Sequence, residues 1–166
     1  MRKVISSFVI ICVLMLVGCN PTPQPNQEYR YTTVVFDINC EEEIYGVTFE
    51  YCLDRQFMGG QSVSRDPEMT KQLPKNETQY IRFEEQGFFD PDALNTSKFG
   101  ILVYVTLKNN ATAAVEYLYE WSAEYGQEYH FTLSGNSTDG FIFEPGEKDI
   151  SYTITPYCDL QEDLLQ

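Results

Sequence analysis

His130 is the one histidine of the chain, so any Ser-His-Asp or Cys-His machinery would have to be built on it. Tyr129, Phe131 and Leu133 alternate with it, which sets His130 on the opposite, exposed side of a strand. No Gly-x-Ser-x-Gly elbow offers a nucleophile. The cysteines and the histidine have no zinc-type spacing, and no glycine-rich loop is suited to phosphate. The 25 acidic residues make a chance pair of carboxylates for glycoside hydrolysis inevitable, and therefore uninformative. Asp90-Pro91-Asp92 with Asn95, and Asn136 with Asp139, offer oxygen ligands for calcium. Neither has the glycine and distal glutamate of an EF-hand loop, and both read as turn residues chosen for local hydrogen bonds. The expectation is a chain that is not an enzyme and uses no metal and no cofactor.

Aromatic side chains are the stronger signal: 12 tyrosines, 11 phenylalanines and one tryptophan. Tyr117, Tyr119 and Trp121 recur at every second position, so a strand would carry all three rings on one face. Facing solvent, they would form a platform for a sugar or a patch for a protein partner. Glu116 and Glu120 at the opposite parity favour the other reading, in which the stripe is the core face of its strand. Tyr45, Phe49 and Tyr51 invite the same treatment. Parity also ranks the cysteines. Cys40 continues the Val34-Phe36-Ile38 face, and Cys158 continues the Ile150-Tyr152-Ile154 face past Pro156. Cys52 falls opposite Tyr51 and Phe49. A Cys40–Cys158 disulfide is favoured, worth about 3–5 kcal/mol by chain entropy, with Cys52 unpaired; buried free thiols throughout are the alternative.

The elements that would position these residues have period two. Val34, Phe36 and Ile38 alternate with Val35, Asp37 and Asn39; Val47, Phe49 and Tyr51 alternate with Thr48 and Glu50. With Glu41-Glu42-Glu43 as a polar turn, these two runs read as a hairpin. Residues 54–78 lose the alternation and read as a long irregular connection, a length uncommon without a function. A short strand at 79–84 and a second irregular stretch at 86–98 follow. Ile101, Val103, Val105 and Leu107 then alternate cleanly up to Asn109-Asn110, a pair that tolerates the positive φ of a tight turn. Strands are predicted over 115–121, 128–133, 140–143 and 148–155. About seven or eight short strands without a sustained helical period predict an all-β, antiparallel two-sheet sandwich over residues 29–166.

Residues 1–18 stand apart. Met1-Arg2-Lys3 is a short positive start, and Val4–Val17 is apolar but too short to span a bilayer comfortably, which takes about 20 residues. Leu16-Val17-Gly18-Cys19 resembles the lipobox of bacterial lipoproteins. The resemblance implies cleavage before Cys19 and diacylglycerol on its sulfur. Residues 20–27, Asn-Pro-Thr-Pro-Gln-Pro-Asn-Gln, read as a stiff extended spacer of at most ~3 Å per residue. The formal net charge of −14, and the loss of Arg2 and Lys3 with the leader, argue against a nucleic-acid partner.

Residues 100–155 resemble immunoglobulin-type modules of bacterial surface proteins. The likeness rests on the strand, Asn-Asn turn and aromatic strand, and on Phe143-Glu144-Pro145-Gly146-Glu147 before a final strand. The Cys…Trp…Cys spacing of antibody domains is absent. As a whole the chain is similar to small envelope lipoproteins of the Bacteroidota, and segment 100–155 more distantly to the β-sandwich of bacillar intracellular proteinase inhibitors. The resemblance implies a lipid-anchored, non-catalytic module that binds a protein or a glycan. The rival is a secreted carboxylate-dependent hydrolase, or a hydrolase accessory or inhibitor. Asn20 is not the aspartate that resembles inner-membrane retention, and residues 20–27 lack the acidic run of a surface-export signal. An outer-membrane address on the periplasmic face is the expectation.

Overall fold

The computed structural model describes residues 30–156 other than Asn76, Phe89, Pro91 and 147–149. The expected leader, Cys19 and the expected spacer, and also Cys158, lie outside the described residues. Among the described residues nine strands form two sheets that face each other. One has four strands, β1 (Tyr31–Cys40), β4 (Gln79–Glu84), β7 (Glu128–Asn136) and β8 (Gly140–Pro145), in the order β4-β1-β7-β8. The other has five, β2 (Gly46–Leu53), β3 (Gln56–Ser64), β5 (Phe99–Thr106), β6 (Thr112–Trp121) and β9 (Thr153–Pro156), in the order β3-β2-β5-β6-β9. The all-β sandwich expected from period two is what forms. The segment with the immunoglobulin-type likeness supplies strands to both sheets, β5, β6 and β9 to one and β7 and β8 to the other.

Alternation drives the layering. Val34, Phe36 and Ile38 on β1 meet Val47 and Phe49 on β2, with Ile101, Val103 and Val105 beside them, all of them buried. Aromatic rings knit the layer at its centre. Phe36 lies 5.4 Å from Phe49, and Phe131 stacks on Phe143 at 4.6 Å. Such pairs add about 0.5–1.5 kcal/mol each beyond the apolar area they bury.

Three expectations are corrected. The runs 34–40 and 45–51 are not a hairpin: β1 and β2 lie in opposite sheets. The connection between them crosses the end of the sandwich and plugs it with Ile44, 1 % exposed. Pattern alone cannot separate a hairpin from such an arch, because both alternate. Segment 54–78 is not wholly irregular. Asp54 and Arg55, at φ 46° and 68°, turn the chain tightly into β3, which pairs antiparallel with β2. Strand β3 is half-exposed and carries Gly59-Gly60, so it shows no apolar alternation. Finally, β1 and β7 pair in parallel over eight residues, Thr33 to Cys40 against Glu128 to Gly135, while the other six described ladders are antiparallel.

The two long connections close the ends of the sandwich. Leu73 is buried at 2 % exposure and its N–H donates to the Ile44 carbonyl at 2.7 Å. Lys75 Nζ caps the carbonyls of Cys40 and Glu41. At the other end, Phe88 packs against Tyr51 and Phe99, and the short helix α1 (Ala93–Thr96) buries Ala93 and Leu94 in the same core.

Candidate functional site

Local pairing decides what each predicted site residue does. Strands β5 and β6 are in register from Phe99↔Trp121 to Leu102↔Leu118, then resume at Tyr104↔Ala114. Three residues of β6, Val115 to Tyr117, therefore stand against Val103 alone. This bulge breaks the parity on which the aromatic stripe was read. Val115 stays inside, and Glu116 and Tyr117 both turn out. Tyr119 and Trp121 are 2 % and 1 % exposed, whereas Tyr117 is 38 % exposed. The three rings do not form one open platform: two belong to the core and Tyr117 alone reaches solvent.

Tyr117 borders a groove of about 560 Å³, within the size range of small-ligand sites at ~300–1,000 Å³. The groove runs between the start of β6 and the β7–β8 hairpin. Ala113 and Ala114 form one side, Phe141 and the exposed Ile142 the other, and Glu116 and Asp139 supply carboxylates. No lysine or arginine is among the described residues that line it.

The hairpin wall is held firmly. Asn136 Oδ1 accepts from the N–H groups of Thr138 and Asp139, both at 2.8 Å, and its Nδ2 donates to Asp139 Oδ2 at 2.9 Å. Ser137 donates to Glu42 Oε1 twice, from Oγ at 2.6 Å and from N at 2.9 Å. These two bonds hold the Glu42 carboxyl below its ordinary pKa. Gly135, at φ +93°, sits where a Cβ would strike the Gly140 carbonyl oxygen at 2.2 Å, so only glycine fits the hairpin root.

Position in the fold separates this groove from the chain's N-terminal entry. Arg30 precedes β1, whose ten residues carry the chain about 30 Å, at ~3.3 Å each, to Cys40. Cys40 pairs with Gly135 at the root of the hairpin. The groove is therefore at the end of the sandwich remote from Arg30. The cleft near Arg30 is already claimed: Arg30 Nε meets Glu85 at 2.7 Å and its guanidinium lies over the Tyr125 ring at 4.7 Å.

The remaining candidates have structural partners. His130 is exposed on β7 as its parity predicted, with Glu128 at 4.0 Å. Asp90 Oδ1 accepts the Asp92 N–H at 2.9 Å, and Asp92 faces Arg30 at 3.5 Å, so this acidic turn holds an arginine and its own backbone. Among the described residues no three Asp, Glu, His or Cys side chains converge closely enough for a metal ion. Cys40 and Cys52 are buried free thiols. Cys40 Sγ donates to the Leu133 carbonyl at 3.5 Å, and burial pushes both thiols up to about 11. Cys158, the expected partner of Cys40, lies outside the described residues.

One pair was invisible in the sequence. Glu120 is 4 % exposed on the outer face of its sheet, with Arg55 Nε at 3.4 Å. Comparison with known protein families, with curated proteins and with solved structures returns no match.

Proposed function

We propose that this chain is an envelope lipoprotein, tethered through lipid on Cys19, whose sandwich is a non-catalytic binding module. The reading is supported chiefly by the groove at Tyr117. The exposed Tyr117 ring on β6 stands across the groove from the exposed Ile142 of a hydrogen-bonded hairpin, at the end of the domain remote from Arg30. A ligand that displaces water from Tyr117 and Ile142 gains apolar burial without the wall having to reorder. Asn20 and the uncharged segment 20–27 support an outer-membrane anchor on the periplasmic face.

The tether is tested by metabolic labelling with palmitate. Label on the wild type that is lost in Cys19→Ser supports it; an unlabelled wild type removes it. The binding reading is tested by capture of envelope proteins and glycans on the wild-type domain and on Tyr117→Ala. Equal capture by both would move the site elsewhere. Glu116 and Asp139 on the same groove keep carboxylate-dependent hydrolysis as the one rival. Turnover of a glycan by the wild type that Glu116→Gln or Asp139→Asn abolishes would replace the binding reading with that one.

A further inference from the structure

Strands β3 and β4 form the flank of the sandwich opposite the Tyr117 groove. Alternation on β1 and β4 puts Tyr31, Tyr80, Arg82 and Glu84 on the outer face of their sheet. The Arg82 guanidinium lies between two of these rings, 4.6 Å from the centre of Tyr31 and 5.5 Å from that of Tyr80. The chain has 25 acidic residues against 11 basic ones, yet no described carboxylate closes on this arginine to ion-pair distance. A guanidinium stacked on aromatic faces keeps the N–H edge of its fork free for a planar anion. Arg82 also lines a groove of about 430 Å³ with Gln61, Glu84, Gln86 and Gly87. Gln86 Nε2 donates to the Glu84 carboxyl. At Gly87 a buried phenol comes close: the Tyr51 hydroxyl lies 2.9 Å and 3.0 Å from where a Cβ would stand on Gly59 and Gly87. Tyr51 is 7 % exposed, and among the described residues its hydroxyl has no hydrogen-bond partner.

These groups suit one kind of ligand. The Arg82 fork matches a carboxylate, which it can hold by two parallel charged hydrogen bonds. Glu84 and the amide oxygens of Gln61 and Gln86 accept from hydroxyls. Tyr80, 61 % exposed, offers an aromatic face to an apolar one. A carboxylate, several hydroxyls and an apolar ring face on one rigid frame describe an acidic sugar. We propose that this flank binds a uronic acid residue of an acidic glycan, its carboxylate on Arg82, its hydroxyls on Glu84 and Gln61, and its ring face on Tyr80. Glu84, two residues from Arg82 on the same face, disfavours an anion that brings no hydroxyl donors, because two like charges would then stand side by side. The net charge of −14 does not oppose the contact, since charges more than about 8 Å away are largely screened at physiological salt and the nearby cation governs. The inference does not rest on the Tyr117 groove, which lies on the other flank.

The test titrates the full chain, in detergent micelles, with trigalacturonate, with neutral maltotriose and with an alternating Glu-Ser hexapeptide. The peptide carries the same carboxylates and hydroxyls without sugar rings. Calorimetry should show trigalacturonate binding saturably, about tenfold or more tighter than either of the others. Arg82→Gln should weaken that binding about tenfold or more without lowering the unfolding midpoint. Arg82→Lys should restore only part of it, because an ammonium keeps the charge and lacks the fork. Tyr80→Ala and Gln61→Ala should each weaken it about threefold or more. Equal binding of trigalacturonate and maltotriose, or binding indifferent to Arg82→Gln, overturns the proposal. A hexapeptide that binds as tightly as the sugar would make the flank an acidic-peptide site, which overturns it too. Trigalacturonate binding that is lost in Tyr117→Ala and kept in Arg82→Gln would place the sugar in the other groove, overturning the inference while supporting the binding-module reading. Failure of trigalacturonate to bind sinks the inference alone, and the Tyr117 reading then stands or falls by its own capture experiment.

Discussion

The Tyr119 hydroxyl, carried on β6, faces the backbone N–H of Phe143 on β8, across a flank where the two sheets share no ladder. The two rings stand 6.0 Å apart. An edge strand with an orphan N–H invites unwanted pairing, and here a side chain from the facing sheet removes the invitation. Burial pushes the hydroxyl up to about 12, with the Phe143 donor acting in the opposite direction, so it stays protonated across the physiological range.

Tyr119→Phe keeps the ring and deletes the acceptor. It should cost about 1–3 kcal/mol, the penalty for a buried donor left without a partner. The Phe143 amide should exchange faster than in the wild type. Urea unfolding with residue-resolved exchange reads both, and unchanged exchange at Phe143 would refute the role given to the hydroxyl.

Trp121→Ala and Tyr117→Ala should part company although the residues lie four apart on one strand. Trp121 is closed in by Phe99 at 5.1 Å and Tyr129 at 5.3 Å, so its truncation should cost about 3–5 kcal/mol. Tyr117→Ala should stay within about 1 kcal/mol of the wild type. Thermal and urea midpoints decide this, and equal losses would mean that the bulge does not expose Tyr117 as described.

Arg55 occupies a left-handed turn position at φ 68°, where glycine would relieve about 1 kcal/mol of strain. Arg55→Gly should nevertheless destabilise, because it strips the neighbouring cation from the buried Glu120. Removing one partner of a fully buried pair costs about 3–5 kcal/mol. The half-exposed guanidinium reduces this to roughly 2 kcal/mol net. The double variant Arg55→Gly/Glu120→Gln should recover most of the loss, and a double-mutant cycle with no coupling would count against the pair.

Acid should unpin the groove's hairpin. The Glu42 pKa is held below its ordinary 4.5, first by the Ser137 hydroxyl and then by the Ser137 N–H. A carboxyl lowered in the folded state contributes stability that is complete above its unfolded value and lost as pH falls through the folded one. Asp66, held down by Thr70, and Asp54, held down by the Lys98 N–H, have the same sign. Stability should therefore be level from neutrality to about pH 4.5 and fall below it. Wild type should exceed Glu42→Gln at pH 7, and the gap should close by pH 3. A gap that widens in acid would reverse the assignment.

Much of this molecule is determined by its sequence alone, because the period of its apolar residues is a local property. Alternation through Val34–Ile38, Ile101–Val105 and Tyr129–Leu133 fixes an all-β chain with one core. Asn109-Asn110, at φ 64° and 60°, forms the tight turn its side chains suit. The solvent-facing His130 follows from the same parity. Tertiary structure decided the rest. Whether β1 returns as a hairpin or arches to the other sheet depends on where Ile44 can be buried, which neither strand encodes alone. Strand β3 lacked a pattern because it is an edge that buries little of itself. The two extra residues of β6 opposite Val103 turned Tyr117 outward and left Tyr119 and Trp121 inside; parity read along one strand cannot register a bulge that exists only relative to its neighbour. The groove is likewise a product of two elements, the start of β6 and the β7–β8 hairpin, brought together by contacts distant in the chain.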